Sequence, residues 1–345
     1  MNGKLQPLTT TITLLFSITL TACGGGGSSP AAATDTASSA DTDDNTPDTE
    51  DPISPAQSDI TNLILENSSP NCADYAGDYS SAVLDIQRSI PFDGALLVEA
   101  DTTQCTLSSN GIPNHDFNDE NARFATNVSA IDHSFITSTT PQPAQNYTAL
   151  SQRTYDAVML NGVVLDLLSA GCYRPDDRGA DSNGNVAIGC NENSSWLLDP
   201  LSPLNNFGTD QHNAHTQPDG RYHYHGNPMA LFDENPGPNG SPVIGFAADG
   251  YPIYGSYFLD PDSGQIRKAL SGHTLKAGQR PSSAEDPGGA YDGMYIDDFE
   301  FTDAGDLDAC NGMTVGGQYG YYVTDSYPWV VGCFAGTPED SFLKL

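Results

Sequence analysis

Four of the seven histidines in this chain fall between positions 212 and 225. Imidazole is the commonest ligand for transition metals near neutral pH, so this segment is a candidate metal site. If the last two histidines lie on a β-strand, their two-residue spacing places both imidazoles on one face and the neighbouring tyrosines on the other. The histidines are His212, His215, His223 and His225, and the tyrosines are Tyr222 and Tyr224.

A turn signature separates the two pairs of histidines. Pro218-Asp219-Gly220 predicts a bend that folds His212 and His215 back beside the strand of the second pair. A further candidate ligand is His115, which Asp116 follows directly, so a carboxylate could support that imidazole.

An all-imidazole shell would suit zinc or copper best. Three histidines with one open position would allow a bound water to be activated, whereas four would form a closed structural site. The alternative is a polar network in which the histidines bond to loops and stack on the tyrosines without any metal.

Two acidic motifs are weaker candidates. Asp249 lies between an apolar run and a glycine, where it could ligate a metal, orient an imidazole or act as a general base; a simple Asp-Gly turn is the plainer interpretation. Residues 181–192 partly match a calcium-binding loop from Asp181 to Glu192. Val186 stands where that loop requires glycine, so calcium is a minor hypothesis.

Charge and missing motifs exclude several functions. The formal net charge is -33, and no lysine or arginine cluster offsets the repulsion of a polyanion, which argues against nucleic-acid binding. The sequence has no Gly-x-Ser-x-Gly elbow, phosphate-binding glycine loop or His-Glu-x-x-His motif. Serine hydrolase, nucleotide-binding and zincin functions therefore lack support.

The N-terminal residues are typical of an exported lipoprotein. Residues 1–22 read as a signal peptide, and Leu20-Thr21-Ala22-Cys23 resembles the bacterial lipobox, which implies cleavage before Cys23 and lipid attachment there. Residues 23–58 form an acidic linker predicted to be disordered. We expect a cell-envelope protein whose membrane contact is the lipid anchor, and Gly24 favours the outer membrane.

The six other cysteines predict three disulfides, because export leads to an oxidising compartment. Six cysteines allow 15 connectivities, of which sequence order favours the local one. Its pairs are Cys72 with Cys105, Cys172 with Cys190, and Cys310 with Cys333.

Residues 59–345 are predicted to form one mainly β domain, sandwich-like or barrel-like, with long loops. Short apolar runs at 95–99, 155–160, 162–168, 221–225, 243–247 and 319–324 are the candidate strands. Asn161-Gly162 predicts a tight hairpin turn. The best candidate helix covers residues 74–89.

The run Gly220-Arg221-Tyr222-His223-Tyr224-His225-Gly226 resembles the signature of the YHYH-domain proteins, a family with no established reaction. Segments on both sides also resemble the family, so the similarity covers about residues 110–336. They are Asn110-Gly111-Ile112-Pro113-Asn114-His115, Asn161-Gly162-Val163, Ala248-Asp249-Gly250-Tyr251-Pro252-Ile253-Tyr254-Gly255, Asp306-Leu307-Asp308-Ala309-Cys310-Asn311-Gly312 and Tyr322-Val323-Thr324-Asp325-Ser326-Tyr327-Pro328.

Two functions follow from the sequence. The first is binding of a transition metal by the histidines, with hydrolytic or redox chemistry at an open coordination position. The second is a noncatalytic extracellular module that binds a glycan or a protein through tyrosines, Trp196 and Trp329, with structural histidines. The sequence assigns neither a substrate nor a reaction.

Overall fold

The computed structural model describes residues 57–344. The predicted signal peptide, Cys23 and nearly all of the predicted linker lie outside these residues. In the described range the chain forms β-strands and three short 3₁₀ helices, Cys72–Tyr75, Ile296–Asp298 and Asp340–Phe342. No helix in that range is both long and apolar enough to cross a membrane.

Strands are numbered in chain order. The first ten are β1 Ser58–Asp59, β2 Gly77–Asp85, β3 Ile90–Ala100, β4 Gln104–Ser109, β5 His133–Ser138, β6 Thr148–Ala149, β7 Ala157–Met159, β8 Val164–Leu165, β9 Cys172–Tyr173 and β10 Asn185–Val186. The others are β11 Ala214–Thr216, β12 Tyr222–Tyr224, β13 Val243–Ala247, β14 Pro252–Tyr254, β15 Tyr257–Leu259, β16 Ile266–Lys268, β17 His273–Leu275, β18 Phe299–Phe301, β19 Gly312–Val315, β20 Gln318–Tyr322 and β21 Cys333–Phe334.

Two open sheets dominate the domain. The first has five strands in the order β1-β2-β3-β4-β5, and the second has eight in the order β11-β12-β8-β7-β13-β14-β20-β19. In the second sheet β12 runs parallel to β8, and β14 runs parallel to β20. Short ribbons pair β9 with β10, β15 with β16, β17 with β18, and β6 with β21.

The two large sheets bury side chains in one shared core. Val98 and Leu107 come from the five-stranded sheet, and Val158, Phe246 and Ile253 come from the eight-stranded sheet. Each sheet has two distinct end strands, so neither closes on itself. This sandwich-like, mainly β architecture confirms the predicted fold class and selects the sandwich over the barrel.

The three predicted disulfides are present. Cys72 bonds to Cys105, Cys172 to Cys190, and Cys310 to Cys333, with Cα separations of 6.2, 6.0 and 4.5 Å. These separations are within the range usual for disulfides. Each bridge therefore closes a local loop.

The predicted helix at residues 74–89 is wrong. After the 3₁₀ helix, the segment continues as β2, in which Ser81, Val83 and Asp85 are buried while Ala82 and Leu84 are exposed. That alternation has a period of two, which a strand on the core satisfies and a helix does not.

The Asn161-Gly162 turn joins β7 to β8 as predicted. Gly162 has a φ of 84°, and its amide donates to the carbonyl of Met159 at 2.8 Å. The turn fixes the register, with Ala157 opposite Leu165 and Val158 opposite Val164. Beyond Ala157 the register changes, because the amide of Asp156 also donates to the carbonyl of Leu165 at 2.8 Å.

Candidate metal centre

Three histidines meet at the end of the eight-stranded sheet. His215 lies on β11 directly opposite His223 on β12, and His225 follows β12. The turn before β12 depends on Gly220, whose φ is 94° and whose absent Cβ would lie 2.7 Å from the carbonyl oxygen of Asn127. A side chain at this position would strain the hairpin that brings His215 beside His223.

The intervening tyrosines face the core. Tyr222 and Tyr224 are fully buried, and their hydroxyls are hydrogen bonded. The hydroxyl of Tyr222 donates to Asp210 at 2.8 Å, and that of Tyr224 lies 2.9 Å from the side-chain nitrogen of Asn161. Strand alternation thus puts the three imidazoles on one face of β11 and β12 and the tyrosines on the other.

The Nε2 atoms of the three imidazoles converge. His225 Nε2 lies 3.1 Å from His223 Nε2 and 3.0 Å from His215 Nε2. A tetrahedral ion bound to imidazole nitrogens at about 2.0 to 2.1 Å would separate them by about 3.3 Å. These two distances are therefore close to the spacing of ligands around one ion.

The opposite ring nitrogens show which tautomers are present. His215 Nδ1 lies 2.7 Å from the carbonyl oxygen of Phe207, and His223 Nδ1 lies 3.4 Å from that of Arg221. A carbonyl accepts, so each Nδ1 carries the proton and each Nε2 presents a lone pair. Backbone carbonyls on the far ring nitrogen are the usual support for metal-binding histidines.

His225 is placed between the other two imidazoles. Its Nδ1 is buried and has no hydrogen-bond partner within residues 57–344, although the backbone of Leu167 is close enough to favour its protonation. If its Nε2 carries the ring proton, that proton can be donated to His215 or to His223, but not to both. In the contact without the proton, two nitrogen lone pairs would face each other. A cation at the meeting point would satisfy all three Nε2 atoms.

Burial keeps the three imidazoles neutral. It lowers the pKa of His223 and of His225 well below the usual value, and the nearby histidines lower both further. Burial also lowers the pKa of His215. A neutral imidazole is the form that binds metal, so these histidines can act as ligands at neutral pH.

His215, His223 and His225 could together hold a metal ion, since one ligand atom from each lies within 4.8 Å of the others. His223 and His225 are each 3% exposed, whereas His215 is partly exposed. Solvent or a ligand would therefore approach a fourth coordination position from the side of His215. We call these three residues the histidine triad.

His115 and His212, which were predicted as further ligands, lie apart from the triad. Their rings stack on each other with centroids 3.6 Å apart, and His115 Nε2 bonds to the Tyr224 hydroxyl at 2.7 Å. His212 Nδ1 bonds to the carbonyl of Pro228 at 2.8 Å. Because Tyr224 points into the core, its partner His115 lies on the tyrosine face of the sheet, and these contacts do not extend the metal shell.

Asp249 also lies away from the triad. Its carboxylate accepts bonds from the Tyr321 hydroxyl at 2.6 Å and from the amide of Gly336 at 2.8 Å. The next residue, Gly250, has a φ of 87° and completes the turn between β13 and β14. The turn interpretation describes this residue better than a catalytic role does.

The partial calcium loop begins in the turn before β10 and continues past that strand to Glu192. The carboxylate of Asp181 accepts bonds from the amides of Asn183 and Asn185, and Glu192 accepts one from Ser151. Among residues 57–344, the histidine triad is the cluster of three or more metal-binding side chains that the structure contains, and neither acidic residue belongs to it.

A cleft of about 200 Å³ near the triad was not expected from the sequence. Its lining includes Leu167, Asp199 and Trp329, and a Cβ added to Gly226, directly after His225, would lie 3.7 Å from the Cβ of Trp329. The indole of Trp329 donates to Asp199 at 3.0 Å, and burial raises the pKa of this carboxyl to about 6. The larger cleft of about 360 Å³ is lined by residues 64–68 and 233–242, none of which belongs to the triad.

Comparison with known proteins agrees with the sequence motifs. No curated protein and no solved structure matches the chain. The family model described as YHYH protein matches residues 134–336, which is more than half of the chain and includes the whole triad. The chain therefore belongs to the YHYH protein family.

Proposed function

We propose that this domain binds one transition-metal ion through His215, His223 and His225. The observation that carries the proposal is that His225 Nε2 lies 3.0 Å from His215 Nε2 and 3.1 Å from His223 Nε2, with the Nδ1 atoms of His215 and His223 bonded to backbone carbonyls. A network without metal leaves one short nitrogen contact without a proton. An ion removes that conflict because every Nε2 becomes a ligand.

The donor set favours zinc or copper. Neutral imidazole suits both ions, whereas calcium and magnesium prefer oxygen ligands. With three protein ligands and an open position, zinc would supply an activated water for hydrolysis, and copper would supply redox chemistry. The chain contributes two paired strands that carry the ligands, neutral imidazoles, and exclusion of water from His223 and His225.

The alternative is a noncatalytic module that binds a glycan or a protein, with structural histidines. The Asp199 and Trp329 cleft favours a small ligand, because an aromatic side chain and a carboxyl lie beside apolar walls. Trp196 supports it less, since this side chain is 8% exposed and its indole bonds to Asp286.

Metal analysis of the purified chain tests the first function. We expect close to one zinc or copper per chain, and its loss from a folded His223→Ala/His225→Ala variant. The matched control is His115→Gln/His212→Gln, which changes two histidines outside the triad and should keep the ion. Absence of metal after reconstitution with either ion would contradict the proposal and turn attention to glycan and protein ligands.

We also propose that a lipid on Cys23 anchors the domain to the cell envelope. Gly24, directly after this cysteine, favours the outer membrane. The support is the lipobox-like sequence before Cys23 and the acidic linker after it. Fatty-acid labelling of the wild type and of Cys23→Ala tests this, with fractionation of the two membranes. Label retained by the variant would contradict lipid attachment at this cysteine.

A further inference from the structure

Two buried carboxyl groups face each other close to the histidine triad. In the β7 and β8 hairpin Ala157 pairs with Leu165, and the amide of the preceding residue, Asp156, donates to the carbonyl of the same Leu165 at 2.8 Å, so Asp156 lies beside Asp166 on the neighbouring strand. They are 1% and 5% exposed. Like charges on neighbouring strands are destabilising when their side chains lie close to each other.

The hydrogen bonds of the two carboxyls differ. Asp166 Oδ2 accepts from Lys344 Nζ and from the side-chain nitrogen of Gln217, both at 2.6 Å. Asp156 Oδ2 accepts from the amide of Leu167 at 2.7 Å. Asp156 Oδ1 is buried and has no partner among the residues that the structure describes.

The two buried carboxyls have only one salt-bridged cation to balance their charge in the described range. In the described range, Lys344 is the cation that forms a salt bridge with the pair. Nearby Arg221 donates to the carbonyl of Ile131 and lies over the ring of Tyr155, and it forms no salt bridge with either carboxyl in the described range. Two ionised carboxyls with one ammonium would leave an uncompensated negative charge in the interior, which is costly.

We infer that Asp156 and Asp166 hold one proton between them at neutral pH, on Asp156 Oδ1, and form a proton-holding pair beside the histidine triad. With that proton, the group made of the pair and Lys344 is neutral. Burial and the charge of Asp166 both raise the pKa of Asp156, while burial raises the pKa of Asp166 against the effect of Lys344. Both pKa values are raised, which favours the protonated form, as does the presence of only one salt-bridged cation for two carboxyls.

Strand register connects the pair to the triad. Val164 lies opposite His223 on the parallel strand, and the amide of Asp166 donates to the carbonyl of Tyr224, so Asp166 is beside the end of β12 that leads to His225. Gln217, which bonds to Asp166, is two residues from His215. The titratable groups around the pair are the neutral imidazoles of the triad, and the charged groups are Lys344 and Arg221. The link to a metal ion rests on the proposed function.

Infrared spectroscopy of the purified, metal-free full chain tests the pair directly. Isotope-labelled aspartate identifies the carbonyl band of a protonated carboxyl at pH 7. We expect this band in the wild type, its loss in Asp156→Asn, and a lower titration midpoint in Asp166→Asn because the like charge is gone. The matched control is Asp85→Asn, which removes a buried carboxylate paired with Arg88 at 3.3 Å and should leave the band unchanged.

Two further measurements sharpen the test. Lys344→Met removes the cation, so the band should increase about twofold as both carboxyls become protonated. Wild type without a protonated-carboxyl band at pH 7 would overturn the inference even if no variant folds. If the band of Asp166→Asn titrates with the same midpoint as that of the wild type, the two carboxyls do not share the proton.

Adding zinc distinguishes the protonated carboxyl pair from the proposed metal site. Zinc added to the wild type should lower the midpoint of the band, because a nearby cation favours the ionised pair, and it should have no effect in His223→Ala/His225→Ala. If metal analysis finds no bound ion, the metal function fails, but the band of the metal-free protein still decides whether the pair holds a proton. Bound zinc with an unchanged midpoint would contradict the placement of the pair beside the centre.

Discussion

His215 and His223 are directly opposite in the antiparallel pair of β11 and β12, and their ring centroids lie 4.8 Å apart. This relationship lets an edge strand and its neighbour contribute to one group of ligands. His225, two residues after His223, adds the third imidazole from the same face. The proposed centre therefore depends on the pairing of these two strands.

Removing one imidazole should weaken metal binding strongly. In His225→Ala the central Nε2 is lost, and we expect a fall in zinc affinity of at least about 100-fold, since loss of a supporting residue alone costs about 10- to 100-fold. Competition with a chromogenic chelator measures it. His212→Ala provides the comparison, and an equal loss in both variants would argue against the triad as the ligand set.

Acid should destabilise the metal-free protein through the triad. Its histidines have lowered pKa values in the folded state, so the unfolded chain binds more protons below about pH 6.5. The free energy of unfolding should fall as pH decreases through this region, by up to about 4 kcal/mol per pH unit if all three take up protons. Urea unfolding at several pH values measures the slope, which should be shallower in His223→Gln/His225→Gln. Equal slopes would contradict neutral histidines.

Asp156 should have the opposite pH dependence. Its raised pKa means that the folded state keeps a proton that the unfolded chain releases above about pH 4. Stability from this group is therefore lost as pH rises, at about 1.4 kcal/mol per pH unit for one proton. We expect Asp156→Asn to gain stability relative to the wild type between pH 5 and pH 8. A difference that does not vary with pH would show that Asp156 is ionised in the folded protein.

The two faces of β12 should respond differently to mutation. Tyr224→Phe removes a hydroxyl that bonds to His115 and to Asn161 in the core, leaving the buried Nε2 of His115 without this partner. We expect a loss of about 1 to 3 kcal/mol in the free energy of unfolding, with metal content unchanged. Thermal unfolding and metal analysis of the same sample test both parts. Loss of metal from a folded variant would show that the faces are coupled.

The Cys172 to Cys190 disulfide should stabilise its loop without affecting the triad. It packs with Val186 and Leu197 in a small cluster separate from the main core. Cys172→Ser/Cys190→Ser should cost about 3 kcal/mol, the value expected for a loop of this length. Denaturant unfolding gives the cost, and metal content should match that of the wild type. A large loss of metal would mean that this loop helps to position the histidines.

Local patterns predicted the parts of the site that depend on one turn or one strand. Alternation placed His223 and His225 on one face, and the Pro218-Asp219-Gly220 turn returned His215 beside them. His115 and His212 could not be assigned in this way, because their positions depend on packing against Tyr224 and on the loop at Pro228.

One wrong prediction and one feature missed in the sequence have physical reasons. The expected helix at residues 74–89 is a strand because pairing with β3 and burial of alternate residues outweigh its helical pattern. Asp156 and Asp166 lie next to the hairpin that the Asn161-Gly162 turn predicts, but the sequence alone does not indicate that they form a buried pair. Their burial and the contact with Lys344 depend on the tertiary fold.

β11 is the end strand of its sheet, and an end strand has a neighbour on one side only. Such strands open locally more readily than central ones. An ion bound by His215 on β11 and His223 on β12 would link the two strands and oppose the local opening of β11. Amide hydrogen exchange at residues 214–216 would then slow when the ion binds, which makes the sheet edge a local reporter of occupancy in the intact protein.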